Sequence, residues 1–149
     1  MRTAVRTSLK NAALKAGILP QRKKRKVCFI ITNRIHYARQ EILLKQLRSD
    51  PDFDLQLIVG GSALLEKYSE VPAALARHGF KVHEQMLNLI EGGNHVAMAK
   101  TAGLAVLELT NAFSKLNPDI VLIRGDRFEQ LAAAMTAAYL NKTVAHIEG

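Results

Sequence analysis

The chain has 149 residues, of which 48% are apolar and 23% charged; this is the size and make-up of one folded domain, and it excludes wholesale disorder or a fibrous repeat. The longest apolar run, Leu131 to Leu140, is interrupted by Thr136 and falls short of the roughly 18 residues needed to cross a bilayer. The net charge of +8 invites a nucleic-acid reading until the chain is divided: residues 1–26 carry nine Lys or Arg and no acid, while residues 27–149 carry twelve against thirteen acids.

Residues 1–26 therefore read as a basic, disordered tail, ending in Arg22-Lys23-Lys24-Arg25-Lys26. Such a tail suits RNA, anionic lipid or an import receptor, and its acid-free composition is also that of a transit peptide; a solvated leader is the plainer reading. Gly17-Ile18-Leu19-Pro20 is too short for a secretory apolar core. From Val27 onward, short apolar runs alternate with stretches of helical spacing, as in βαβ units that build a parallel sheet. Strands are predicted at Val27 to Thr32, Asp54 to Val59, Lys81 to Leu87, Asp119 to Ile123 and Thr143 to Ile147. The first and fourth are almost wholly apolar, which suits parallel strands covered on both faces.

Helices are predicted at Tyr37 to Ser49, in two short pieces within Ser62 to His78, from Asn94 to Leu116, and from Arg127 to Asn141. Gly79 follows two basic residues where a left-handed helix end belongs, and Asn117-Pro118 stops the long helix. In the last helix, Phe128, Leu131, Ala132, Met135 and Tyr139 share one face, predicted to pack on the sheet, and its many alanines make it thin. The fold class expected is an α/β, Rossmann-like parallel sheet spanning residues 27–149.

In such sheets ligands sit at the carboxyl ends of the strands. That edge would carry Asn33 to His36, Gly60 to Ser62, Glu91 to Gly93, Arg124 to Arg127, and His146 to Gly149. Arg34, at a helix start, suits an anion unless it is a solvated loop arginine. Asp126 sits on a tight strand-to-helix turn, as a cleft carboxylate or a helix cap. Glu148, after an apolar strand, is expected to be partly desolvated with a raised pKa suited to acid–base work, unless it is simply a surface glutamate. His146 is the one histidine with a promising position. No metal site is expected, because the five histidines show no HExxH or other short ligand spacing. Neither GxGxxG nor GxxxxGK[ST] occurs, and no cofactor is expected. Cys28, the only cysteine, cannot form an intrachain disulfide and reads as a buried structural thiol, which suits a cytoplasmic location. With no Trp and three Tyr, the chain lacks a stacking platform, which argues against nucleic acid.

Arg124 to Glu129 (RGDRFE), the alanine-rich helix after it, Ala145 to Gly149 (AHIEG) and residues 98–109 (MAKTAGLAVLEL) together resemble the hydrolysing UDP-N-acetylglucosamine 2-epimerases of sialic and related nonulosonic acid synthesis. The non-hydrolysing relatives carry threonine-rich GDTT and a histidine-valine-glutamate motif instead. The resemblance covers Val27 to Gly149. It implies the amino-terminal domain of a two-domain, glycosyltransferase-B-like enzyme that converts UDP-N-acetylglucosamine to N-acetylmannosamine and UDP by elimination and hydration. It places the family's acids on Asp126 and Glu148 and its loop arginine on Arg34; His146, chosen for its position, is expected to join Arg34 in binding the UDP-sugar. The family loop RADY reads Arg34-Ile35-His36-Tyr37 here, and the chain stops inside HIEGGE. A truncated or split half is therefore expected, with little or no activity alone. Its partner would be the missing carboxyl-terminal half or a second copy, because the face meant for the other half is expected to be exposed apolar surface. The alternatives are the amino-terminal half of a glycosyltransferase of the same architecture, or a non-enzymatic binding module using the basic tail.

Overall fold

A computed structural model describes residues 23–67 and 70–149. The tail as far as Arg22 lies outside the described residues. Five strands, β1 (Arg25–Ile31), β2 (Phe53–Gly60), β3 (Glu84–Met86), β4 (Ile120–Arg124) and β5 (Thr143–Ile147), form one sheet in the order β3-β2-β1-β4-β5, every pair parallel. Helices α1 (Arg34–Ser49), α2 (Val71–Arg77), α3 (His95–Leu116) and α4 (Phe128–Tyr139) connect them, with a 3-10 turn at Gly61–Leu64. None of these helices is long and apolar enough to cross a membrane.

The apolar runs become central strands because both faces are covered. Alternate side chains of β1, β2 and β4 feed two cores. Cys28, Ile30, Ile58, Val121 and Ile123 pack with α3 and α4, whereas Phe29, Ile31, Leu57, Val59 and Leu122 pack with α1 and α2. Cys28 is fully buried, which pushes its thiol up to about 12 and leaves it unreactive. Local signals set the helix ends. Asn33 Oδ1 accepts from the His36 N–H (2.9 Å) to open α1, Asn94 Oδ1 accepts from the Ala97 N–H (2.9 Å) to open α3, and Asn117, at φ 47°, closes α3 ahead of Pro118. Gly79 has the left-handed φ of 70° expected of it. Strand β1 starts at Arg25, two residues before the run that predicts it, because the Arg25 N–H donates to the Asp52 carbonyl and Lys26 to Asp119 Oδ2.

Two elements depart from the sequence reading. Strand β3 is shorter than Lys81 to Leu87, because the His83 ring intervenes: its Nδ1 accepts the Leu57 N–H (3.1 Å) that a strand carbonyl would take. In α4 the large side chains do not face the sheet. Leu131 is 70% and Tyr139 86% exposed, and Met135 is exposed as well; the buried face is Glu129, Gln130, Ala132, Ala133, Thr136 and Ala137. Alanine lets this helix approach the strands closely, so the thin face wins over the greasy one. Among the described residues, the exposed large apolar side chains lie on α1, α3 and α4 and around the end of β3.

Candidate active site

The carboxyl ends of β4 and β5 are tied together beyond their ladder. Arg124 pairs with Ile147 in register, the Gly125 N–H donates to the Ile147 carbonyl (2.9 Å), and His146 Nε2 donates to the Gly125 carbonyl (2.8 Å). Asp126 and Glu148 each stand one residue past that Gly125–Ile147 bond, so two strand ends 22 positions apart in sequence deliver two carboxylates to one rim. Gly125 makes the turn with φ 76°, a backbone state that glycine adopts without cost. The helix cap is Arg127, not Asp126, and the exposed Asp126 carboxylate has no partner among the described residues. It is therefore open to a ligand rather than spent on a cap.

Glu148 departs from the expected desolvated acid. Its side chain is 58% exposed, and the Arg124 hydrogen bonds hold its carboxyl below the usual carboxylate range. Nε (3.1 Å) and Nη2 of Arg124 both donate to Glu148 Oε2, while Arg39 Nη1 lies 3.7 Å from the same oxygen. Glu148 itself holds a left-handed φ of 54°. His146, expected against substrate, uses Nε2 to strap the turn that presents Asp126. Arg34 opens α1 at the same edge but meets neither carboxylate; it lines a groove of about 560 Å³ with Tyr37, Glu41 and His78. Arg39, which the sequence did not single out, is the arginine of α1 that reaches Glu148. A second groove of about 520 Å³ runs from Ile90, Gly92 and Thr101 to Arg127 and Phe128, next to Asp126.

Beneath the rim lies a buried polar cluster that composition does not reveal. Glu129, with its side chain 1% exposed, accepts from Arg127 through both oxygens (Nε to Oε2 3.0 Å, Nη2 to Oε1 2.9 Å). His36 is buried. Asn33 Oδ1 is occupied by the His36 N–H, so Asn33 Nδ2 donates to His36 Nε2 (3.0 Å), and the ring proton on Nδ1 goes to Thr32 Oγ1 (3.3 Å), which also accepts from Gln130 (3.3 Å). Burial, followed by the nearby arginines, overcomes the pull of Glu129 and lowers the His36 pKa to about 4, so the ring is neutral at pH 7. Gly61, at φ 56°, packs against this cluster: a Cβ there would stand 2.9 Å from the Thr32 carbonyl oxygen. No group of three or more His, Cys, Asp or Glu suited to a metal ion occurs among the described residues.

A five-stranded parallel sheet in this order, with its charged groups gathered at the strand carboxyl ends, defines a Rossmann-like domain of the glycosyltransferase-B-like kind. The chain belongs to the UDP-N-acetylglucosamine 2-epimerase family, whose sequence profile matches residues 45–149. It is 33% identical over 125 residues to the UDP-N,N'-diacetylbacillosamine 2-epimerase (hydrolyzing) of Legionella pneumophila, covering 84% of this chain and 33% of that protein. It is 27% identical to the GDP/UDP-N,N'-diacetylbacillosamine 2-epimerase (hydrolyzing) of Campylobacter jejuni, covering 85% of this chain and 33% of that protein. The UDP-GlcNAc 2-epimerase from Neisseria meningitidis, solved bound to UDP-GlcNAc, shares the fold with a TM-score of 0.70 at 19% identity, over 83% of this chain and 32% of that one. The chain thus spans about a third of the length of the relatives it matches.

Proposed function

We propose that this chain is the amino-terminal, carboxylate-bearing domain of a hydrolysing 2-epimerase acting on a UDP-linked 2-acetamido sugar, with UDP-N-acetylglucosamine as the reference substrate. The observation that supports the reading is the Gly125–Ile147 hydrogen bond, which Asp126 and Glu148 directly follow in the chain, at the edge where Rossmann-like sheets take ligands. The chemistry needs a base for the weakly acidic proton on sugar C2 and an acid to return a proton, hence two carboxylates in different environments. Glu148, held ionised by Arg124, suits the accepting role. Asp126, exposed beside the Arg127 groove, faces the same ligand from the other strand. Arg34 and His146 would complete the substrate contacts, with His146 acting mainly by holding the turn. A cytoplasmic location suits a buried, unpaired Cys28.

The second wall of the cleft, in this reading, comes from the remaining two thirds of the family fold or from a second copy. A cleft with one wall orients the sugar poorly, and misplaced groups lose orders of magnitude in rate. UDP release from UDP-N-acetylglucosamine should therefore be weak for the chain alone and should rise on adding a polypeptide that carries the rest of the fold. Asp126→Asn and Glu148→Gln should each reduce the complemented rate by about 10²-fold or more. Complemented activity indifferent to both substitutions would refute the assignment.

A further inference from the structure

Two arginine–glutamate pairs stand at this rim, and they are built in opposite ways. In the Arg127–Glu129 pair the carboxylate is sealed, with both oxygens engaged, and the guanidinium is 45% exposed. In the Arg124–Glu148 pair the guanidinium is sealed, at 4%, and the carboxylate is 58% exposed. A pair that only holds the fold together is served best by the side-on fork, in which each oxygen takes one N–H. Arg124 does otherwise. Its Nε and Nη2 converge on Oε2, the oxygen that Arg39 also approaches, and its Nη1 is buried with no partner. Oε1 of Glu148 is left without a partner among the described residues. A buried cation and a left-handed backbone at Glu148, both costly, thus accompany a carboxylate that is 58% exposed and engaged through one oxygen.

We propose that Arg124 is a positioning residue that clamps Glu148 by Oε2 and dedicates Oε1 to the proton removed from the bound sugar. The inference rests on the epimerase reading above. In the step it serves, the proton on sugar C2 passes to Oε1, and the C2–H electron pair forms the C1–C2 double bond as the C1–O bond breaks, with the pair of that bond departing on UDP. The charged groups around Glu148 are Arg124 from β4 and Arg39 from α1, with Asp126 and His146 on the adjoining turn and strand.

The test is a carbon-13 NMR titration of the Glu148 side-chain carboxyl, assigned with E148Q, in the unaltered chain, R124Q and R124K. The midpoint should lie below that of an ordinary glutamate, rise toward the ordinary value in R124Q, where Arg39 alone remains, and stay low in R124K. In the unaltered chain the Arg124 Nε–H resonance should titrate in step with Glu148, a readout that survives even if R124Q fails to fold. In the complemented enzyme, the acid limb of UDP release should move to higher pH in R124Q while KM for UDP-N-acetylglucosamine holds. An Nε–H signal indifferent to Glu148, an unmoved midpoint in folded R124Q, or an unmoved acid limb would each overturn the proposal. A complemented, unaltered protein that releases no UDP would instead sink the epimerase reading, and the proton step with it, while the titration would still report the clamp.

Discussion

Acidification from pH 7 to pH 5 should destabilise this fold through one imidazole. His36 is 5% exposed and both ring nitrogens are committed, Nδ1–H to Thr32 and Nε2 to Asn33. A second proton would have to displace the Asn33 N–H and sit near Arg124 and Arg127. The folded pKa of about 4 lies below the ordinary 6.5, so between those values the unfolded chain binds more protons than the native one. The His36 contribution is therefore fully present above about pH 6.5 and is lost as pH falls toward 4. Linkage with these two values gives a loss of about 2 kcal/mol at pH 5 relative to pH 7, of which about 1–2 kcal/mol is expected after solvent screening. Urea unfolding followed by circular dichroism at both pH values measures it. Other groups titrate in the same range, so the comparison is with His36→Gln, whose stability should fall less by that amount. Parallel losses in the two proteins would refute the burial argument.

The faces of α4 give a second test: Leu131→Ala should cost less than about 0.5 kcal/mol in unfolding free energy, whereas the smaller change Ala133→Val should cost about 1–3 kcal/mol by overpacking. The reverse order would restore the Leu131 stripe as the packed face. Gly61→Ala forces a Cβ against the Thr32 carbonyl at positive φ and should cost about 1–3 kcal/mol, read as a lowered melting temperature.

The sheet was legible because Val27 to Ile31 and Ile120 to Ile123 are continuous apolar runs, and their burial on two faces is what a parallel strand requires. Gly79 and Asn117 announced helix ends because both residue types tolerate the left-handed backbone found there. The orientation of α4 was not legible from periodicity: two faces of that helix share the same spacing, and only the narrow gap above the strands selects alanine over leucine. At the candidate site, Asp126 and Glu148 were selected because they follow strands, and both lie past the Gly125–Ile147 hydrogen bond. The Arg124–Glu148 contact was hidden, since the register of β4 against β5 brings together residues 24 apart that no helical or strand period relates. Glu129 was hidden for another reason. A glutamate two residues from an arginine at a helix start reads as solvated, and its burial follows from the close approach of α4 to Gly61 and Thr32.

The opposite burial of the two arginine–glutamate pairs divides the response of the molecule to its ionic surroundings. Mobile counterions cannot enter around Glu129, whereas they have open access to Glu148, where the screening length is about 10 Å at 0.1 M salt. Ionic strength thus acts on the exposed Glu148 rim far more than on the sealed Glu129 carboxylate beneath it.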